Sequence, residues 1–125
     1  MSTSRQIFEI NTDTGSQKVT GPSFTGAIMQ MRWSPTTADT GADLLVSLLP
    51  RAADSGDGFL FYNDNDCLGS GFTRVPLQPA HSSDGFDTGV DQYHPIVAAG
   101  DRLQVEVIPG GAAVVGSLFI WVNEN

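Results

Sequence analysis

The chain has 125 residues, 40% of them hydrophobic, with 14 acidic against 6 basic side chains and a net charge of −8. That length makes one domain, with room for a core that needs neither disulfide nor metal. Without the dense basic footprint that displaces counterions, nucleic acid and anionic membrane surfaces are disfavoured as partners.

Nearly every apolar run has the two-residue period of a β-strand, and none has helical spacing. Met1-Ser2-Thr3-Ser4-Arg5 has no apolar run behind its basic residue, so it does not read as a signal peptide, and no stretch approaches the ~18 apolar residues of a membrane span. Gln6 to Ile10 is a short candidate strand, suited to an edge or an arm. Ala27 to Trp33 alternates, placing Ala27, Met29, Met31 and Trp33 on one face and Ile28, Gln30 and Arg32 on the other. Leu44 to Leu49 is apolar on both faces and belongs in the middle of a sheet. Gly58 to Tyr62 is aromatic-rich, Phe72 to Leu77 follows a glycine-rich turn, and Tyr93 to Ala98 is weaker. Leu103-Gln104-Val105-Glu106-Val107 alternates without a break, and Leu103 to Ile108 is expected to form a hairpin with Val114 to Val122 across Pro109-Gly110-Gly111. The 14 glycines and 7 prolines fall mostly between these runs. The expectation is an all-β antiparallel β-sandwich of the jelly-roll or Greek-key type, with seven or eight strands.

The sharpest local motif is Asp39-Thr40-Gly41-Ala42-Asp43, which resembles the signature of retroviral-type aspartic proteases; Val114-Val115-Gly116 matches their second apolar-glycine element. Against that reading, the lead-in Ser34-Pro35-Thr36-Thr37-Ala38 is not an apolar strand, and the residues after Gly116 read as strand rather than helix. The tripeptide also recurs as Asp13-Thr14-Gly15 and Asp87-Thr88-Gly89 in polar loops. Asp and Gly are turn residues for reasons of backbone chemistry, and the turn reading is preferred.

Two acidic stretches are candidate cation sites: His81, Asp84, Asp87, Asp91 and His94, and Asp54, Asp57, Asp64 and Asp66 around the aromatic strand. Neither has the spacing of an EF-hand or a zinc site, so no metal is expected. Ser82 and Ser83 beside His81 are too close in sequence for a positioned nucleophile and base. Cys67, the single cysteine, has acidic neighbours that raise a thiol pKa and reads as inert. No catalytic residue and no cofactor are expected, and the chain does not read as an enzyme.

Aromatic residues carry the remaining signal. Trp33, Trp121, Phe61 and Tyr62 could stack on carbohydrate, or could fill a core or an interface. In the last strand Phe119 and Trp121 project opposite to Leu118, Ile120 and Val122, so it is apolar on both faces. One face covers the core, and a partner subunit is the expected cover for the other.

Gly26-Ala27-Ile28-Met29-Gln30-Met31-Arg32-Trp33, a central Asp-Gly-Phe, Ala99-Gly100-Asp101-Arg102-Leu103-Gln104-Val105-Glu106-Val107 and a final apolar strand together resemble the small β-sandwich decoration or cement proteins of tailed bacteriophage heads. The similarity runs from about Phe24 onward. It implies a virion structural protein on the capsid exterior, synthesised in the host cytoplasm, with the major capsid protein and its own copies as partners, often as a homotrimer. On this reading residues 1–25 are an N-terminal arm and edge strand, residues 26–125 the sandwich domain, and Phe8, Ile10, Trp33, Phe119 and Trp121 the candidate interface. A phage tail or receptor-binding module of the same fold is the alternative, and the protease at Asp39 is the more distant one.

Overall fold

The computed structural model describes residues 2–13, 15–50, 58–79 and 93–124. Its strands are β1 (Ser2–Asn11), β2 (Gln17–Thr37), β3 (Asp43–Leu49), β4 (Phe59–Asp64), β5 (Phe72–Arg74), β6 (Leu77–Pro79), β7 (Tyr93–Pro95), β8 (Val97–Ile108) and β9 (Val115–Glu124). All pairings are antiparallel, and no helix occurs among the described residues.

The topology follows from β2, which is 21 residues long and serves two sheets. Residues Gln17 to Ala27 pair with β8, and residues Gly26 to Thr37 pair with β9 on the other edge. β2 therefore counts twice, giving the sheets β1–β9–β2(second half)–β5 and β2(first half)–β8–β3–β4. That is the strand order of an eight-stranded jelly roll, with two of its strands fused into one bent ribbon. β6 and β7 form a separate two-stranded ribbon.

A strand that changes sheets must bend, and the sequence supplies the means. Register shifts fall between Thr20 and Ser23, around Gly21-Pro22, and again between Phe24 and Thr25 and between Ile28 and Gln30. Proline has no N–H to give a ladder, so it sits at such an irregularity at little cost. At the changeover Gly26 has φ of +148°, and a Cβ there would lie 1.9 Å from the Asn123 carbonyl oxygen. Only glycine admits both that backbone and that approach.

Both sheets turn their apolar side inward onto one core. Leu103, Val105 and Val107 of β8 meet Leu118, Ile120 and Val122 of β9, all fully buried, together with Leu44, Val46 and Leu48 of β3 and Leu68 beyond β4. Each such side chain contributes roughly 1.5–3 kcal/mol by leaving water.

Four expectations change. β8 and β9 do not form a hairpin: β2 and β3 occupy the two edges of β8, and β1 and β2 those of β9, so neither has an edge left for the other. The residue 25/26 boundary falls inside β2, and the expected arm is sandwich: β1 pairs with β9 over its whole length, and Phe8, Ile10 and Phe24 are core residues. Met29 does not share a face with Met31 and Trp33. The irregularity between Ile28 and Gln30 shifts the alternation by one, so Ile28, Met31 and Trp33 are buried while Met29 is exposed. The single run expected from Phe72 to Leu77 divides into β5 and β6, in different sheets.

Candidate functional site

Alternation along β9 places Phe119 and Trp121 on the outside of its sheet, because Leu118, Ile120 and Val122 take the inside. Register then builds the surface around them. One row across the sheet reads Arg5, Trp121, Gln30; the next reads Ile7, Phe119, Arg32; a third reads Glu9, Ser117, Ser34. The Phe119 and Trp121 rings lie 6.0 Å apart at 34°, and the Arg5 guanidinium stands over the Phe119 ring, 5.1 Å from its centre. The Ser117 hydroxyl donates to Glu9 Oε2 at 2.8 Å. Ile7 is 47% exposed and Met29 44%.

The result is a flat patch of aromatic, aliphatic and guanidinium groups on an acidic protein. The Arg32 side chain makes no hydrogen bond or ion pair with another described residue, and the Arg5 side chain has only its ring contact. Aromatic, methionine and arginine side chains are the types enriched at the centres of protein interfaces.

Of the five residues expected at an interface, Phe119 and Trp121 lie on this face. Phe8, Ile10 and Trp33 fill the chain's own core and have no surface to offer a partner. The remaining aromatic candidates, Phe61 and Tyr62, are half-buried and packed against the core on β4, in the other sheet, so the four aromatic residues do not converge on one platform. Phe59 and Leu60, on the same strand, are exposed.

Two shallow grooves border the patch. One of about 300 Å³ lies between β2 and β5, lined by Arg32, Ser34, Pro35 and Phe72 among others. The second, about 280 Å³, runs along the seam between β1 and the first half of β2, from Arg5 to Phe8 on one side and Val19 to Pro22 on the other.

Asp39 has a structural place. Its Oδ1 accepts from the Gly41 N–H at 3.1 Å, and its Oδ2 accepts from the N–H groups of Gly110 and Ala112 at 3.1 and 3.3 Å. Gly41 and Gly110 approach so closely that a Cβ on Gly110 would sit 2.3 Å from the Gly41 carbonyl carbon. One carboxylate thus ties the β2–β3 turn to the β8–β9 crossing. The Gly41 N–H, helped by those of Ala112 and Gly110 and opposed by partial burial, holds its pKa below the ordinary 3.8. Both carboxylate oxygens are thus engaged by backbone N–H groups of the turn and the crossing. Val115-Gly116 opens β9, with Gly116 lying against the Trp33 ring.

A second tie joins Thr12 to Val114. The Thr12 N–H donates to the Val114 carbonyl at 3.0 Å, and the Val114 N–H donates to the Thr12 hydroxyl at 2.8 Å. On the other sheet Tyr62 Oη donates to Asp64 Oδ2 at 3.1 Å. Burial first, then Asp64, pushes the tyrosine up to about 12 and the Cys67 thiol up to about 11. The thiol is therefore protonated at neutral pH, as its acidic neighbours suggest, with burial the larger cause.

Among the described residues no group of three or more His, Cys, Asp or Glu side chains is placed to share a metal ion. His81, Ser82, Ser83, Asp84, Asp87, Asp91, Asp54 and Asp57 lie outside the described residues, as does Asp87-Thr88-Gly89. The arginines flanking Phe119 carry no motif in the sequence; the register across three strands assembles them.

No protein-family model matches this chain, and no curated protein matches it in sequence. A chain in the structure of infectious bursal disease virus Gt strain is similar in fold at a TM-score of 0.26 and 10% identity, over 98% of this chain and 31% of that one. This chain thus spans about a third of the length of that protein.

Proposed function

We propose that this chain is a virion structural protein, a decoration or cement subunit on the outer head surface of a tailed bacteriophage. It binds the major capsid protein and stabilises the shell through contacts that include its own copies. The observation that carries this reading is the outer face of the β1–β9–β2 sheet, where the half-buried Phe119 and Trp121 and the exposed Ile7 lie beside Arg5 and Arg32. An apolar face on a rigid jelly roll is stable in water only at a cost, and a partner that covers it removes that cost. The sequence resemblance to head decoration proteins supplies the kind of partner. The chain acts by covering and clamping and performs no reaction.

Quantitative mass spectrometry of purified source virions tests the reading. The expected result is a copy number of the same order as the major capsid protein. A handful of copies moves the chain to the tail or neck, and its absence from the particle ends the virion reading.

A further inference from the structure

We infer that the recess between β2 and β5 takes a carboxylate side chain of the capsid surface, held by the Arg32 guanidinium, while apolar groups beside that carboxylate pack on Phe119 and Trp121. The partner's identity rests on the virion reading above; its chemistry rests on the recess.

Register carries the outer face one strand past β2. Thr73 of β5 stands opposite Arg32, so Ile7, Phe119, Arg32 and Thr73 form one line across four strands. Ser34 points to the same side as Arg32, because Met31 and Trp33 on either side of Arg32 point inward. Gly71, the residue before β5, lines the recess with them and has no side chain to fill it. A Cβ there would lie 3.0 Å from the Trp33 carbonyl oxygen, so the wall at this point is backbone. At about 300 Å³ the recess admits a side chain or two but not a further strand.

The polar side chains around it lack partners. Arg32 makes no hydrogen bond or ion pair with another described residue, and neither do the hydroxyls of Ser34 and Thr73. A guanidinium with hydroxyls beside it is a set of donors, and its complement is an ionised oxygen acid. Glu9, the one carboxylate on these rows, already accepts from the Ser117 hydroxyl. The rows therefore carry two arginines against one engaged acid, on a chain whose net charge is −8. The same face of a second copy would offer arginines again and is no complement.

A free anion would account for the recess alone. Ile7, Phe119 and Trp121 continue from its rim, and covering them takes apolar groups on the same body as the acid. The occupant is thus an Asp or Glu set among apolar residues on a protein surface, paired with the planar fork of Arg32.

Binding of the full chain to shells of the major capsid protein assembled without it tests this. The wild type should bind, and more weakly as salt rises from about 0.05 to about 0.5 M, because exposed charges are screened. Arg32→Glu should weaken binding more than about tenfold. Thr73→Glu keeps Arg32 but supplies a carboxylate from the facing position on its own sheet. It should occupy the guanidinium and bind at least about tenfold more weakly than Thr73→Gln, which has the same size without the charge. Its melting temperature should be no lower than that of Thr73→Gln. Shells whose carboxyls have been capped as neutral amides should bind the wild type no better than untreated shells bind Arg32→Glu. Equal binding by Thr73→Glu and Thr73→Gln, or binding insensitive to Arg32→Glu, overturns the inference and leaves the virion reading standing. A wild type that does not bind shells at all overturns both. Self-association of the free chain that Thr73→Glu abolishes would assign the recess to a second copy and overturn the inference as well.

Discussion

The two sheets share one core and differ on their outer faces. Outward positions in the middle of β8 are Arg102, Gln104 and Glu106, so the centre of that sheet presents polar groups to water, and its exposed apolar side chains sit at the β4 edge, Phe59 and Leu60, and at the ends of β8, Val97 and Ile108. Outward positions of β9 are Ser117, Phe119, Trp121 and Asn123, flanked by Ile7 and Arg32 from its neighbours. Nothing inside the molecule explains the difference, because both strands bury equally apolar residues on the inside. On the reading proposed above, the aromatic face is the one that a partner covers.

Removing residues 2–25 should make the largest change, because it erases that face and the fold together. It takes away β1, most of the first half of β2, and Phe8, Ile10 and Phe24 from the core. The truncated chain should show no cooperative thermal transition; a folded remainder would mean that the segment is an arm after all.

Substitutions on β9 sharpen the contrast between its two sides. Ile120→Ala opens a cavity in the core and should cost about 2–5 kcal/mol in urea unfolding, whereas Trp121→Ala, one residue on, should cost under about 1.5 kcal/mol. The order should reverse in binding to capsid shells, where Trp121→Ala is the damaging change and Gln104→Ala on the polar sheet is silent. Gly26→Ala tests the bend that lets β2 serve both faces. It meets the Asn123 carbonyl and a positive φ, and should cost at least about 2 kcal/mol.

The tie made by Asp39 should respond to pH. Its folded pKa lies below the ordinary 3.8, so its contribution is fully present above that value and is lost as pH falls through the folded pKa. Asp39→Asn should therefore lower the melting temperature at neutral pH, by a margin that narrows below pH 3.8. An unchanged margin in acid would show that the carboxylate charge is not what holds the turn to the crossing.

The smallest expected effect is at Cys67, on the polar-faced side. With its pKa raised to about 11, it should react with a thiol reagent at neutral pH more than about tenfold slower than a free thiol. Rapid labelling would mean that the β4 end opens readily.

Local chemistry was legible where local chemistry decides. Alternation in Leu103 to Val107 and in Leu118 to Val122 identified strands, and the recurrence of Asp-Thr-Gly identified turns, since Gly41 and the Asp39 carboxylate do meet as a turn. The first half of β2 was hidden because Gly21-Pro22 and two register shifts break its period, so a strand read as an arm. Phe8, Ile10 and Trp33 looked like interface material because large apolar side chains suit an interface and a core equally well.

The sequence by itself determined that this chain is an all-β sandwich and that its last strand is apolar on both sides, because a period of two is a property of neighbouring residues. Only the tertiary structure decided which side of that strand is core, which edges are filled, and that Arg5 and Arg32 flank Phe119. Strand pairing joins residues more than a hundred positions apart, as Ser2 to Glu124 does, and any strand with a free edge can in principle accept any other. The choice among partners is made by the whole core at once, and no short stretch of sequence contains it.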